Sequence, residues 1–193
     1  MKRVAAWMTA LACMSFAAFP VTAANQTSPS APVTGAAFEA PFLEDLADHV
    51  AAAAALDQLC AQKAPHQDLR QLCETDDGTL QAQGQQLQGW LALWYNVSFQ
   101  PQLSSAAQTL LGQLRAADGA YFETLFLENM IQFDWEAVRG SQTCVERVPH
   151  AELASACEDV ISTQTKNVQA MQAELCNWYG ICNFPVLSAD MHE

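Results

Sequence analysis

The sequence predicts an all-α protein, a four-helix bundle built from two tandem helical hairpins, and two observations carry that expectation. First, sliding the 193-residue chain on itself by 84 residues aligns 35–104 with 119–188 without a gap, and one column in three is identical. Gly35-Ala36-x-Phe38-Glu39 pairs with Gly119-Ala120-x-Phe122-Glu123, and Trp94-Tyr95 pairs with Trp178-Tyr179. Cys60, Pro65, His66, Leu69, Cys73 and Glu74 pair with Cys144, Pro149, His150, Leu153, Cys157 and Glu158. Two copies of so long a unit do not make a solenoid, so the copies share one core. Second, apolar residues recur at three- and four-residue spacing, and no stretch alternates with the period of two that a half-buried strand needs.

Taken in order, residues 1–23 read as an export signal. Lys2 and Arg3 precede an apolar run from Val4 to Phe19, and Val21-Thr22-Ala23 offers a small-residue exit, so the mature chain is expected to start at Ala24. A lipidation box ending at Cys13 is the weaker reading, because the apolar run continues beyond it. The run is too short to span a bilayer and no later one is longer, so no transmembrane helix is expected. The compartment implied is the periplasm or the exterior. Residues 24–34 read as a linker, 35–188 as the duplicated domain and 189–193 as a tail.

Within the first copy Phe38, Phe42, Leu46 and Val50, followed by an alanine run, form one apolar helical stripe, broken at Lys63-Ala64-Pro65. A second stripe follows through Leu69, Leu72, Leu80, Leu87, Leu91 and Trp94. Gly78, Gly84 and Gly89 weaken that helix by about 1 kcal/mol each relative to Ala. Ser104 or Ser105 can cap a short connecting helix that ends near Ala117, before Asp118-Gly119. The second copy repeats the pattern with Phe122, Phe126, Met130, Phe133 and Val138, a break at Val148-Pro149, then Val160, Ile161, Val168, Met171, Leu175 and Trp178, with Gly180 as the stop.

Charge narrows the function. Lys and Arg total 8 against 21 Asp and Glu, and removal of Lys2 and Arg3 with the signal widens the imbalance. Such a surface repels nucleic acid and anionic lipid and attracts cations. Asn25-Gln26-Thr27 and Asn96-Val97-Ser98 fit the glycosylation pattern, and in a chain with a short, simple signal they read as chance matches.

Six cysteines remain after the signal, and export places them where disulfides form. Cys60 and Cys73 flank one hairpin turn and Cys144 and Cys157 flank the other, so each pair is expected to bridge its hairpin. Cys176 and Cys182 have no counterparts in the first copy and pair by elimination. Each hairpin bridge closes a loop worth about 3 kcal/mol in the chain-entropy model.

Enzymatic signals are missing. Leu46, Lys63, Arg147 and Ala189 stand three residues before the four histidines, so there is no Glu-x-x-His pair for a di-iron centre, and no Gly-x-Ser-x-Gly or His-Glu-x-x-His occurs. No enzyme is expected. His66 and His150 read as turn and capping residues, Trp90, Trp94-Tyr95 and Trp178-Tyr179 as bundle packing or a partner surface, and Gln81 to Gln88 as a solvated face.

Gly119-x-x-Phe122-Glu123-x-x-Phe126-Leu127-x-x-Met130-Ile131, followed by Gln164 through Met171, resembles the secreted ferritin-like domains of unknown function that include CopM-type copper-binding proteins. That resemblance implies a duplicated helical fold and a soft-metal site made of methionines and paired histidines. The family continues Met-Ile-Pro-His-His, whereas this chain reads Met130-Ile131-Gln132-Phe133-Asp134 and, in the first copy, Leu46-Ala47-Asp48-His49-Val50. Met130 and Met171 answer to Leu46 and Leu87, which also fits plain core volume. The resemblance leaves one copper site to expect, from His49, Met130, Met171 and Asp134, with Met191-His192 as a second soft pair in the tail. Without a metal the alternative is a periplasmic interaction module.

Overall fold

The computed structural model describes residues 33–184, with side chains from Ala37 onward. The signal segment, Cys13, Asn25, most of the linker, Met191-His192 and the tail lie outside the described residues. Five helices follow one another: α1 (Val33–Lys63), α2 (Gln67–Tyr95), α3 (Ser105–Ala116), α4 (Gly119–Arg147) and α5 (Ala151–Tyr179). No strand occurs among the described residues. None of these helices is long and apolar enough to cross a membrane.

Each break has a local cause. Pro65 and Pro149 cannot continue the preceding helix, and each is followed by a histidine in extended backbone that opens the next one. Gly180 closes α5 in the left-handed region (φ 72°), and Ile181 N donates back to Leu175 O at 3.2 Å. Asn96 does the same for α2 at φ 54°, with Val97 N donating to Leu91 O at 3.1 Å. Ser104 caps α3 by accepting from Ala107 N at 3.1 Å. At the other end of α3, Lys63 donates to Leu114 O, Arg115 O and Ala117 O at 3.3, 2.8 and 2.6 Å and pairs with Asp118 at 3.1 Å. The orphan carbonyls of α3 are thereby met by a cation from α1.

α1 packs on α2 and α4 on α5, while α1 and α4 meet across the copies and α3 lies against both. The backbones of α2 and α5 stay farther apart than those of the paired helices and their side chains meet in a shared cluster, so the four long helices are less evenly joined than the sequence expectation of a four-helix bundle implies. Two apolar clusters result, and each mixes the copies. One joins Leu56, Cys60, Leu69 and Cys73 to Phe122, Phe126, Met130, Met171 and Leu175. The other joins Leu43, Ala47, Leu87 and Leu91 to Cys144, Leu153 and Cys157. Disulfides link Cys60 to Cys73, Cys144 to Cys157 and Cys176 to Cys182, with Cα separations of 6.0, 6.3 and 4.2 Å.

His66 and His150 sit at N-cap positions and yet cap nothing with their side chains, which corrects the reading of them as capping groups. Each instead crosses to the other copy. His66 Nδ1 lies 2.5 Å from Glu123 Oε2, and His66 N donates to Glu123 Oε1 at 2.7 Å. His150 Nδ1 lies 2.6 Å from Glu39 Oε2, and His150 N donates to Glu39 Oε1 at 3.3 Å. Tyr179 and Tyr95 hydroxyls donate to the same two carboxyls, and burial followed by that contact pushes both phenols above their usual range. Trp178 stacks on His66 at 4.0 Å and Trp94 on His150 at 3.9 Å. Both glutamates are fully buried, so every donor here offsets a desolvation cost.

His66→Phe keeps a ring against Trp178 but removes the imidazole from Glu123 and leaves it Tyr179 and the backbone N–H, so urea denaturation of this variant should show a loss of about 2 kcal/mol. A variant within 0.5 kcal/mol of wild type, the ordinary range for neutral surface changes, would show that the crossed contact is not stabilising.

Candidate metal centre

A polar residue from each of the four long helices interrupts an apolar stripe near mid-helix, and these four meet. Asp57 follows Val50 and Ala54 on α1, and Asp76 lies between Cys73 and Leu80 on α2. Asp134 follows Met130 on α4, and Gln164 precedes Val168 on α5. These four, with Met130 and Met171, line a cavity of about 70 Å³ between the helices. That volume holds an ion with about one or two waters.

Burial raises the proton affinity of the three carboxyls facing so small a space, and neighbouring charge adds to it for Asp57 and Asp134. Burial, then the charges of Asp76, Asp134 and Asp77, pushes Asp57 up to about 8. Burial pushes Asp76 up to about 6. Asp134 is held well above the carboxylate range by burial and then by Asp76. Gln164 lies with its carboxamide 3.0 and 3.3 Å from the two Asp134 oxygens and donates in the orientation that satisfies both groups. Asp57 is 4% exposed and has no hydrogen-bond partner among the described residues. No Lys, Arg or His lines the cavity.

Of the expected ligand set, the structure brings together Met130, Met171 and Asp134 and leaves out His49. The His49 ring stacks on Phe133 at 3.8 Å, away from the cavity lining, and burial lowers its pKa to about 4. Phe133 stands where the family pattern puts its first histidine, and an aromatic partner there captures the imidazole as a packing element. Among the described residues no three His, Cys, Asp or Glu side chains form a group that could hold a metal ion. Asp57 and Asp76 were missed by sequence reasoning, although each falls in phase with an apolar stripe. A carboxyl at such a position is the available signal.

Trp90, Trp94 and Trp178 take the packing role rather than forming an open surface. Trp90 stacks on Trp94 at 5.0 Å, and Trp94 and Trp178 cover the two crossed histidines. Arg147 lies over Phe38 at 4.1 Å, as Lys63 lies over Phe122 at 5.5 Å, so the copies also repeat a cation–π brace.

The lowered pKa of His49 makes a pH prediction. Its folded value lies below the unfolded one, so its contribution is intact above about 6.5 and is lost as pH falls toward about 4, where the unfolded chain binds the proton first. His49→Phe should therefore gain about 2 kcal/mol on wild type between pH 7 and pH 4, read as the difference in unfolding free energies so that other titrations cancel. An unchanged difference across that range would place His49 in solvent.

The sequence profile of the family described as "Domain of unknown function (DUF305)" matches residues 39–175. No match was found among curated proteins. A structure of CopM in its Cu(I)-bound form superposes with a TM-score of 0.66 at 21% identity, covering 73% of this chain and 97% of that one. CopM in its apo form gives 0.63 at 21% identity, over 73% and 98%. A DUF305 protein from Streptomyces coelicolor, described as secreted, gives 0.62 at 21% identity, over 70% and 89%. The likeness to solved structures is one of helical fold, and the profile match covers most of the chain. The chain belongs to the DUF305 family.

Proposed function

We propose that this protein is an exported, non-catalytic binder or buffer of a soft metal ion, Cu(I) or Ag(I), with the Met130 and Met171 thioethers and the Asp134 carboxylate as its ligands. The observation that carries the reading is asymmetry between the copies. Met130, Asp134 and Met171 share one cavity, while the residues 84 positions earlier are Leu46, Val50 and Leu87. Methionine alone would be explained by volume. Methionine on two helices beside a buried carboxyl is a donor set, and thioether sulfur suits a soft monovalent cation. Solved structures of CopM with Cu(I), Cu(II) and Ag share the fold, which supports the same class of ligand here.

The division of labour follows from the chemistry of the donors. The two sulfurs would supply affinity for a soft ion, and Asp134, once deprotonated, would neutralise its charge in an environment poor in water. Gln164 holds the Asp134 carboxyl in position by donating to it, an outer-shell contact of the kind that fixes a ligand's orientation. Export from the cytoplasm, with a mature chain beginning at Ala24, would place this site where envelope copper is encountered.

Thermal unfolding of the mature chain with Cu(I) or Ag(I) at about 100 times the dissociation constant should show stabilisation of about 2.7 kcal/mol. Met130→Leu with Met171→Leu, which copies the first repeat and keeps core volume, should abolish the gain, while His49→Phe and deletion of 189–193 should leave it intact. The reading fails if neither ion stabilises the wild type, or if the double leucine variant responds as wild type does.

A further inference from the structure

A second concavity, of about 350 Å³, lies between α1 and α2 of the first hairpin. Its floor is Ala47, Val50, Ala51, Ala54 and Ala55, its wall includes Leu80 and Gly84, and Gln58, Gln81, Gln85 and Gln88 stand around it. No charged residue lines it. The connecting segment closes one side through Pro101, held by Gln88 Nε2 donating to Phe99 O at 3.2 Å and by Gln102 N donating to Asp48 Oδ1 at 2.6 Å.

The second copy indicates what such a space accommodates. Ala51 answers to Trp135, Ala47 to Ile131, Ala54 to Val138 and Gly84 to Val168. Trp135 packs against the cluster that contains Ile131 and Val168, with its indole Nε1 enclosed. In the first copy the indole is replaced by a methyl group and its valine neighbour by hydrogen, and the concavity remains. A Cβ built on Gly84 would meet only Val50 Cγ1, at 3.7 Å, so no steric contact demands glycine there. The glycine costs helix stability of about 1 kcal/mol relative to alanine without a packing reason.

We propose that this groove is a binding site for a free, neutral aromatic molecule of indole size, seated where Trp135 sits in the second copy. The alanine floor supplies apolar contact, and the ring of carboxamides supplies hydrogen bonds to a ring N–H without a charge. Gln85 has no hydrogen-bond partner among the described residues, and Gln58 and Gln81 use their amide nitrogens on Asp77, at 3.1 and 3.0 Å, which leaves their oxygens as acceptors. The groove shares only Leu80 with the lining of the metal-centre cavity and none of the proposed ligands, so metal binding and aromatic binding are read by different variants.

Indole itself is the probe. Titrated into isotope-labelled mature protein, it should give saturable amide shifts confined to 47–58 and 80–88. Indole-3-acetate should bind at least about tenfold more weakly, because the groove offers no cation and the protein is strongly acidic. Ala51→Trp should abolish indole binding and leave the protein at least as stable as wild type. Gly84→Val, which copies Val168 without adding a large side chain, should weaken binding at least about threefold and serves if the tryptophan variant does not fold. Absence of saturation up to the solubility of indole, or binding that survives in both variants, overturns the proposal. Tighter binding of N-acetyl-tryptophanamide than of indole overturns its assignment to a free molecule.

Discussion

Two buried carboxyl groups hold the architecture together. Glu39 and Glu123 are fully enclosed, and a carboxyl so placed is tolerated only when hydrogen bonds replace the lost water. Each accepts from a tyrosine of its own copy, from a histidine backbone N–H of the other, and meets the imidazole of that same histidine. Neither hairpin can satisfy its glutamate alone. Docking of the two copies is thus written into polar chemistry as well as into apolar area, and the antiparallel pairing of α1 with α4 follows from it. Each helix start must meet the hairpin turn of the other copy.

This crossed scaffold leaves the middle of the molecule free to diverge. At its two ends the copies share Phe-Glu, Pro-His and Trp-Tyr, whereas between the ends nearly every inward position differs. The second copy contributes Met130, Asp134, Gln164 and Met171 to the central cavity, and the first contributes Asp57 and Asp76 in different registers. The positions 84 residues before Met130, Asp134, Gln164 and Met171 hold the apolar Leu46, Val50, Leu87 and, opposite Gln164, Leu80, so this polar set is present in one copy alone. The groove between α1 and α2 shows the reverse, with bulk retained in the second copy and lost in the first.

Much of the fold was legible beforehand because its determinants are local. Apolar spacing marks a helix face within a few turns, proline and glycine mark its ends, and a cysteine pair 13 residues apart across a proline turn leaves little geometric choice. The same reasoning misjudged His49 and the two crossed histidines. His49 and Met130 stand on different helices, so their separation along the chain says nothing, and proximity to Phe133 is settled by how α1 lies on α4. His66 and His150 looked like caps because their positions are cap positions, yet a buried carboxyl on another helix competes better for the imidazole than the local backbone does.

By itself the sequence determined the helices, their order and breaks and the sulfur pairing, since all of these follow from interactions between residues near one another along the chain. Only the tertiary structure decided which polar residues in the apolar stripes would face each other. Asp57, Asp76, Asp134 and Gln164 are ordinary interruptions until four helices bring them around one cavity, where exclusion of water, and for Asp57 and Asp134 the neighbouring charge, raises the proton affinity of the carboxyls.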